Sequence, residues 1–256
     1  MFPYLLRTDS GFIYTFTAVW IFGLALAGGS IYYSKRQFNG WDGLLAAGVS
    51  ALLLGRIQFV WQNGEWFVEN PAERWNVAQG GFGYAGVIFG GLLGLFLWGL
   101  VTQNKLRPIL TSLIPCVPLL HFIGWLACWF DGCGYGAKTS ISWNAAPLPD
   151  NFGLITVRYQ TQLGGMLLAV FAGTIFFLCW RFWFQNEPLQ FSKAAVFWLV
   201  LTVLSATRTV SYVYQGDTVP LFGALRADFV FALVVTIFSL TVLIGEVIYN
   251  YIQSKA

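Results

Sequence analysis

Two arginines lie inside apolar stretches of the chain, where a charged side chain is uncommon. Arg56 lies in the run 51–60 and Arg208 in the run 201–214. A guanidinium at membrane depth is costly, so it usually faces a cavity or a partner. Its planar fork can hold a phosphate through two parallel hydrogen bonds. We therefore predict that both arginines line one phospholipid headgroup site; the alternative is that each side chain extends to the membrane interface.

The stretch 124–136, GWLACWFDGCGYG, combines three glycines at alternate positions with two cysteines and one carboxylate. Glycines let the backbone turn sharply, and irregular backbone near membrane depth survives only where protein or a wet cavity surrounds it. We predict the floor of a cavity, with a glycine-rich surface loop as the alternative. Cys128 and Cys133 are expected to be two buried thiols; they would pair only if this stretch faced an oxidising compartment.

The sequence favours structural roles for the remaining ionisable residues in or near the apolar runs. His121 is the only histidine, and it lies in an apolar run, where hydrogen bonding within the core is commoner than catalysis; the alternative is a base, because the ordinary pKa of histidine is near neutrality. Arg226 and Asp228, with Asp217 upstream, predict a structural ion-pair network. Glu246 is expected to be solvated at the end of the last apolar run.

The composition indicates a membrane protein. Of 256 residues, 57% are apolar and 10% are charged, whereas soluble domains carry about 25% charged residues. The net charge of +3 is too small and too dispersed for a nucleic-acid-binding protein. The four cysteines form no zinc signature, and we expect neither a metal nor a cofactor.

Apolar runs of about 20 residues predict membrane-spanning helices. The fold class is predicted to be all-α and polytopic, one integral membrane domain over residues 1–256 with outer-face segments at about 63–81 and 131–163 that hold short amphipathic pieces. Seven runs fit: roughly 12–33, 43–62, 82–102, 108–130, 164–184, 194–214 and 229–250. The basic residues that predict an outside N-terminus and an inside C-terminus are Lys35, Arg36, Lys105, Arg107, Arg181, Lys193 and Lys255.

Several stretches, in this order along most of the chain, resemble motifs of the prolipoprotein diacylglyceryl transferase family. They are GRI with NP and W at 55–75, GGFGYAG at 80–86, GWLACWFDGCGYGAKT at 124–139, RYQTQL at 158–163, and R with GD at 208–217. The resemblance implies transfer of a diacylglyceryl group from phosphatidylglycerol to the lipobox cysteine of a preprolipoprotein in the bacterial cytoplasmic membrane. It also implies roles for individual residues: Arg56 and Arg208 as catalytic, and Gln162, Gly81, Gly86, Arg158, Tyr135 and Cys128 as substrate- or lipid-binding.

The chain departs from the family motifs at several positions. The family histidine falls at Ala85, the arginine that heads the signature at Trp125, and an asparagine at Cys128. Tyrosine and glutamate after RhPtQL are replaced by Gly164 and Gly165. Further departures lie at Gln160, Leu204, Tyr212 and Gln215. The alternative function is therefore a catalytically eroded paralogue that binds lipid or serves as a structural subunit of a membrane complex; a transporter is disfavoured because no inverted repeat is found.

Overall fold

A computed structural model describes residues 4–8, 11–34, 38–141, 143–150, 153–179, 193–253 and 255 of the chain. The helices are α1 (Thr15–Ser34), α2 (Trp41–Gln62), α3 (Gly64–Glu69), α4 (Tyr84–Thr102), α5 (Leu106–Leu113), α6 (Cys116–Asp131), α7 (Thr161–Cys179), α8 (Lys193–Val213) and α9 (Ala227–Gln253). The strands are β1 (Tyr4–Thr8), β2 (Gly11–Tyr14), β3 (Ala145–Pro149), β4 (Ile155–Tyr159), β5 (Leu221–Phe222) and β6 (Leu225–Arg226), which form antiparallel pairs β1–β2, β3–β4 and β5–β6.

Within the described residues, six helices are long and apolar enough to cross a membrane, and α5 with α6 makes a seventh candidate if this pair is one span. The protein is thus a mostly helical, multi-span membrane protein, as predicted. The predicted span 108–130 is not one straight helix, because α5 and α6 meet at 51°. The break lies at Ile114 and Pro115, since a proline lacks the N–H group that would continue the helical hydrogen bonding.

Three connecting segments meet at one end of the bundle, which we call the loop end: 63–83, 132–160 and 214–226. Gly136 bridges to Gln215, and the ring of Trp61 stacks on Phe222 with 5.6 Å between centroids. α2, α6 and α8 end here, and α4, α7 and α9 begin here. That this end faces the outside stays a prediction. Three of the basic residues from which the orientation was predicted, Lys35, Arg36 and Arg181, lie outside the described residues.

The opposite end of the bundle carries an ion pair that the sequence did not indicate. Arg107 at the start of α5 lies 3.1 Å from Glu246 of α9. The Trp98 indole also donates a 2.7 Å hydrogen bond to Asp42. Glu246 is therefore paired, and its expected role as a merely solvated residue is corrected.

The segment 131–163 contains a β-hairpin, which the all-α prediction lacked. β3 and β4 pair from Ala145 with Tyr159 to Pro149 with Ile155. The side chain of Asp150 closes the turn by accepting a 2.9 Å hydrogen bond from the Leu154 N–H. Three consecutive β-branched residues, Ile155, Thr156 and Val157, suit a strand, so the local composition agrees with the hairpin.

Helices α2 and α4 pack closely through glycines. Gly86, Gly90 and Gly94 recur every four residues on α4, and a Cβ at any of them would overlap a backbone carbonyl of α2. Such small residues at a spacing of four allow membrane helices to approach closely. Gly86 was predicted to bind substrate; in the structure it contacts the Leu54 carbonyl.

A buried arginine fixes the segment between α2 and α4. Arg56 is 2% exposed, and four of its hydrogen bonds go to main-chain carbonyls. The acceptors are Glu73 (2.6 Å), Arg74 (2.8 Å), Gly80 (2.6 Å) and Gly81 (3.2 Å). A guanidinium has five N–H donors in all. Most of the hydrogen-bonding capacity of Arg56 is therefore used to hold the loop end against α2.

We expect Gly90→Ala to destabilise the protein, because the added methyl group would overlap the Ser50 carbonyl of α2. Overpacking of this kind typically costs about 1–3 kcal/mol. Thermal unfolding of the purified protein in detergent would show a lower midpoint. Gly91→Ala is the matched control, because its new Cβ would have no neighbour closer than 3.9 Å; equal losses in both variants would contradict the packing explanation.

We expect Arg56→Lys to destabilise the segment 63–81, because one ammonium cannot reach the four carbonyls that the guanidinium binds. Hydrogen bonds to charged groups contribute about 1.5–3 kcal/mol each, so a loss of about 2–4 kcal/mol is expected. Limited proteolysis of that segment and thermal unfolding would measure it. Arg107→Lys, whose side chain is 52% exposed, is the control. Unchanged stability with lost phospholipid binding would instead support Arg56 as a headgroup ligand.

Candidate functional site

Arg208 of α8 lies among aromatic rings. Its guanidinium carbon is 3.9 Å from the ring centre of Trp125, 4.8 Å from that of Tyr212 and 5.9 Å from that of Tyr84. It also hydrogen-bonds the Tyr212 side chain, and no carboxylate pairs with it among the described residues. A guanidinium stacks favourably on an aromatic face and keeps its edge available for hydrogen bonds. The rings therefore hold this cation and leave donor capacity unused.

Tyr84 connects this arginine to the only histidine. The Tyr84 ring lies edge-on to His121 with 6.0 Å between centroids, and its hydroxyl is 2.9 Å from that of Ser205. We call Arg208, Tyr84, Trp125, Tyr212 and His121 the Arg208 cluster. It joins residues of α4, α6 and α8, so three helices must dock before the cluster exists.

Trp125 is the largest fully buried residue of the cluster. Its indole is 1% exposed and packs against α7 where Gly165 has no side chain; a Cβ there would overlap the ring. On another side, its ring edge is 3.5 Å from the Cβ position of Gly134. Trp125 therefore connects Arg208 to the glycine-rich loop that follows α6.

The loop after α6 pairs with the loop after α8. The N–H groups of Ala137 and Gly216 each donate a 2.8 Å hydrogen bond to the opposite loop. The N–H of Gly134, which has a φ of 65°, donates to Asp217 Oδ2 at 3.0 Å. The side-chain nitrogen of Gln215 lies 3.4 Å from the Cβ position of the same glycine. Gly134 thus has an indole, an amide and a carboxylate around it.

Cys128 and Cys133 form a disulfide, so the prediction of two buried thiols is wrong. Gly132, with a φ of 88°, ends α6 and reverses the chain, which brings the two Cα atoms within 4.6 Å; a left-handed glycine is a common helix terminus. The Gln162 amide donates to the carbonyls of Cys128 (3.2 Å) and Cys133 (2.6 Å). Gln162 therefore ties the disulfide loop to the start of α7.

Arg158 lies at the base of the β3–β4 hairpin. Its buried guanidinium pairs with Asp150 at 2.8 Å, donates to the Gly136 carbonyl at 3.4 Å, and lies 4.9 Å from the ring centre of Tyr135. Burial raises the pKa of Tyr135, and the negative charges of Asp217 and Asp150 raise it further. Tyr135 and Arg158 therefore belong to one network that supports the loop end.

Asp217 and Arg226 differ in their electrostatics. Burial raises the pKa of Asp217 to about 6, although the Gly134 hydrogen bond and the charge of Arg226 oppose the rise. Burial also disfavours a charged Arg226, but the hydrogen bond and charge of Asp228, 2.7 Å away, outweigh it, so the pKa of Arg226 is raised. The predicted ion pair between Arg226 and Asp228 is confirmed; Asp217 accepts from Arg226 through its main-chain carbonyl.

Several buried polar atoms have no hydrogen-bond partner within the described part of the chain. They include Arg208 Nε, His121 Nε2, Arg158 Nε, Gln215 Nε2 and Asp217 Oδ1. Buried polar groups in native proteins nearly always have a partner, from protein or water. Three of these residues, Arg208, Gln215 and Asp217, contact Trp125 or Gly134, so unused hydrogen-bonding capacity for water or a polar ligand lies there. No group of three or more His, Cys, Asp or Glu residues in the described ranges could hold a metal.

The predicted site residues fall into two groups. Cys128, Tyr135, Arg158 and Gln162 surround the loop after α6, which reaches Arg208 through Trp125. Arg56, Gly81 and Gly86 form a second group at the contact of α2 with α4. Tyr84 connects the groups, since it begins α4 directly after this glycine-rich turn and lies over Arg208.

Two residues of the site were not singled out for it by the sequence. Asp217 was assigned to a structural ion-pair network, and Gln215 was noted only as a departure from a motif. No local pattern distinguishes them, because what marks them is a buried atom without a partner. That property appears only after two distant loops have paired.

Comparison with known proteins agrees with the resemblance seen in the sequence, and it covers most of the chain. The family model for prolipoprotein diacylglyceryl transferase matches residues 4–245. A phosphatidylglycerol–prolipoprotein diacylglyceryl transferase of Idiomarina loihiensis is 22% identical over 183 residues, which is 69% of this chain and 64% of that protein. The one of Corynebacterium glutamicum strain ATCC 13032 is 24% identical over 225 residues, 84% of this chain and 69% of that protein.

A third relative, phosphatidylglycerol–prolipoprotein diacylglyceryl transferase 2 of Clostridium perfringens, is 25% identical over 171 residues, covering 66% of this chain and 64% of that protein. The matched regions thus span about two thirds of the length of these relatives. The family match, by contrast, includes all the elements that surround Arg208. On that basis the chain belongs to the prolipoprotein diacylglyceryl transferase family.

Proposed function

We propose that this protein transfers the diacylglyceryl group of phosphatidylglycerol to the cysteine thiol of a prolipoprotein. The observation that carries the proposal is the state of Arg208: a guanidinium held 3.9 Å over an indole, with Nε buried and unpartnered. A cation with unused donors is suited to an anionic headgroup. The names of the relatives supply the reaction, and the family match covers the elements around Arg208.

In the proposed reaction, the thiolate sulfur bonds to the diacylglycerol carbon that carries the phosphate ester. The bond between that carbon and the phosphate oxygen breaks, and its electron pair leaves with glycerol phosphate. Negative charge increases on the departing group, so a fixed cation stabilises the transition state more than the ground state. We assign this task to Arg208.

We assign Arg56 a positioning role in this proposal. Its hydrogen bonds to Gly80 and Gly81 fix the turn that precedes Tyr84, and Tyr84 is one of the rings over Arg208. A phosphate could bind Arg56 through two hydrogen bonds only by displacing a main-chain carbonyl, which would then be buried without a donor. The headgroup contact therefore falls to one arginine in this chain.

We further propose that the protein lies in the bacterial cytoplasmic membrane with the loop end outside. The disulfide between Cys128 and Cys133 supports this orientation, because disulfides persist in oxidising compartments and are rare in the cytoplasm. The thiol substrate would then approach from the outer face, and the phospholipid from the outer leaflet.

A second candidate is lipid binding without chemistry, in a lipid-binding or structural subunit of a membrane complex. It is favoured by Trp125, which is 1% exposed and fills the position where the family motif has an arginine. A second cation at the phosphate is then missing, and removal of one such donor from a transition state typically costs about 10²–10³-fold in rate. This candidate retains the headgroup contact with Arg208.

We expect Arg208→Gln to lower the transfer rate by about 10²–10³-fold, because the charge that stabilises the leaving phosphate is removed. Proteoliposomes containing phosphatidylglycerol and a lipobox peptide would be assayed for the thioether by mass spectrometry. Arg107→Gln, a largely exposed arginine at the opposite end, is the control and should match the wild type. Full activity in Arg208→Gln would refute the assignment. A wild type that binds phosphatidylglycerol but makes no thioether would favour the second candidate.

We expect Gly165→Ala to weaken phosphatidylglycerol binding, because the new methyl group would displace the Trp125 indole that supports Arg208. A displacement costing about 1.4 kcal/mol corresponds to a tenfold loss of affinity. Lipid binding to the detergent-purified protein, measured beside its thermal midpoint, would show this. Gly164→Ala is the matched control, since no atom lies within 4 Å of its Cβ position; equal effects of the two variants would count against a role for the indole.

A further inference from the structure

We propose that Asp217 accepts the proton of the substrate thiol, with Oδ1 as the receiving atom. This inference rests on the proposed function and names a residue for a step that this function requires. A neutral thiol has a pKa of about 8.5 and only the thiolate is the nucleophile, so transfer near neutral pH needs a nearby base. The position of the family histidine is occupied by Ala85, which cannot accept a proton.

The geometry of Asp217 leaves one carboxylate oxygen available. Oδ2 accepts the N–H of Gly134 at 3.0 Å, which fixes the orientation of the side chain. Oδ1 is buried and has no hydrogen-bond partner within the described residues. The main chain on either side is held as well, since the Gly216 N–H donates to Tyr135 and the Asp217 carbonyl accepts from Arg226 at 2.9 Å. A positioned carboxylate with one free oxygen is suited to proton transfer.

Asp217 and Arg208 interact electrostatically, because the charge of Arg208 lowers the pKa of Asp217. Their contacts connect through Gly134, which bonds Asp217 and adjoins the Trp125 ring beneath Arg208. In this proposal the thiol lies near the carboxylate and the phosphate near the guanidinium, on either side of one reacting carbon. The thiol proton goes to Oδ1, and the leaving electron pair goes to the phosphate oxygen near Arg208.

The charged surroundings keep this carboxyl group near the range in which it exchanges protons. Burial raises its pKa to about 6; Gly134, Arg226 and Arg208 lower it, and the charge of Asp228 raises it. The other titratable groups that interact with it are the hydroxyls of Tyr135 and Tyr212. Because the unprotonated form is the base, activity should rise as the pH increases through about 6.

His121 is the competing acceptor, and its position is less suitable. It lies on α6 one helical turn from Trp125 toward the middle of the candidate span, edge-on to the Tyr84 ring. Asp217, by contrast, lies in the loop 214–226 at the loop end.

The test is the dependence of kcat on pH, from about pH 5 to pH 9, in proteoliposomes with phosphatidylglycerol and a lipobox peptide. We expect Asp217→Asn to lower kcat about 10²–10⁴-fold, to change the KM for phosphatidylglycerol little, and to remove the acidic limb near pH 6. Asp217→Glu should restore part of the rate together with a limb. Asp228→Asn should move the limb to lower pH, because removing that negative charge lowers the pKa of Asp217.

The outcomes separate this inference from the function on which it rests. If the wild type forms no thioether, both the proposed transferase function and the role of Asp217 are refuted. If the wild type forms the thioether and the acidic limb of the pH profile persists unchanged in Asp217→Asn, the role of Asp217 alone is refuted. The same conclusion follows if the acidic limb is lost only in His121→Gln. If Asp217→Asn does not fold, the shift in Asp228→Asn still decides, and an unmoved limb in that variant overturns the proposal.

Discussion

The contact between the Arg208 guanidinium and the Trp125 indole is the interaction on which the loop end depends. A cation near membrane depth must find a partner, and here the partner is an aromatic face, which leaves Nε unpaired. The indole in turn requires the missing side chain of Gly165 and adjoins Gly134, which binds Asp217. One stacking contact thereby connects α6, α7, α8 and the paired loops.

The two membrane arginines show how the same side chain takes opposite roles. Arg56 lies next to a turn whose carbonyls of Gly80 and Gly81 point toward it, together with two more from the short segment before that turn. Arg208 lies in a regular helix, where the carbonyls are occupied by helical hydrogen bonds, and its described neighbours are rings. The first arginine therefore stabilises the fold, whereas the second retains capacity for a ligand.

Two departures from the family motifs lie in contact with each other in the structure. Trp125 replaces an arginine and Gly165 replaces a glutamate, and in the structure the indole occupies the space beside that glycine. The charged residues of the motifs are absent at both positions, and the indole lies where a side chain at position 165 would be. Neither position therefore buries an unpaired charge, which would be costly. The fold can therefore persist whatever the chemistry of the site.

The sequence by itself indicated a multi-span helical membrane protein and located the six long apolar helices of the described residues, because apolar runs of about 20 residues are local properties. It also indicated Arg208 and the glycine-rich stretch after α6. Only the tertiary structure decided that Arg56 is bound to carbonyls 17 to 25 residues away, that Cys128 and Cys133 pair, and that Asp217 has a free oxygen. The physical reason is that hydrogen-bond partners are set by the docking of distant segments, which hydropathy and motif spacing do not encode.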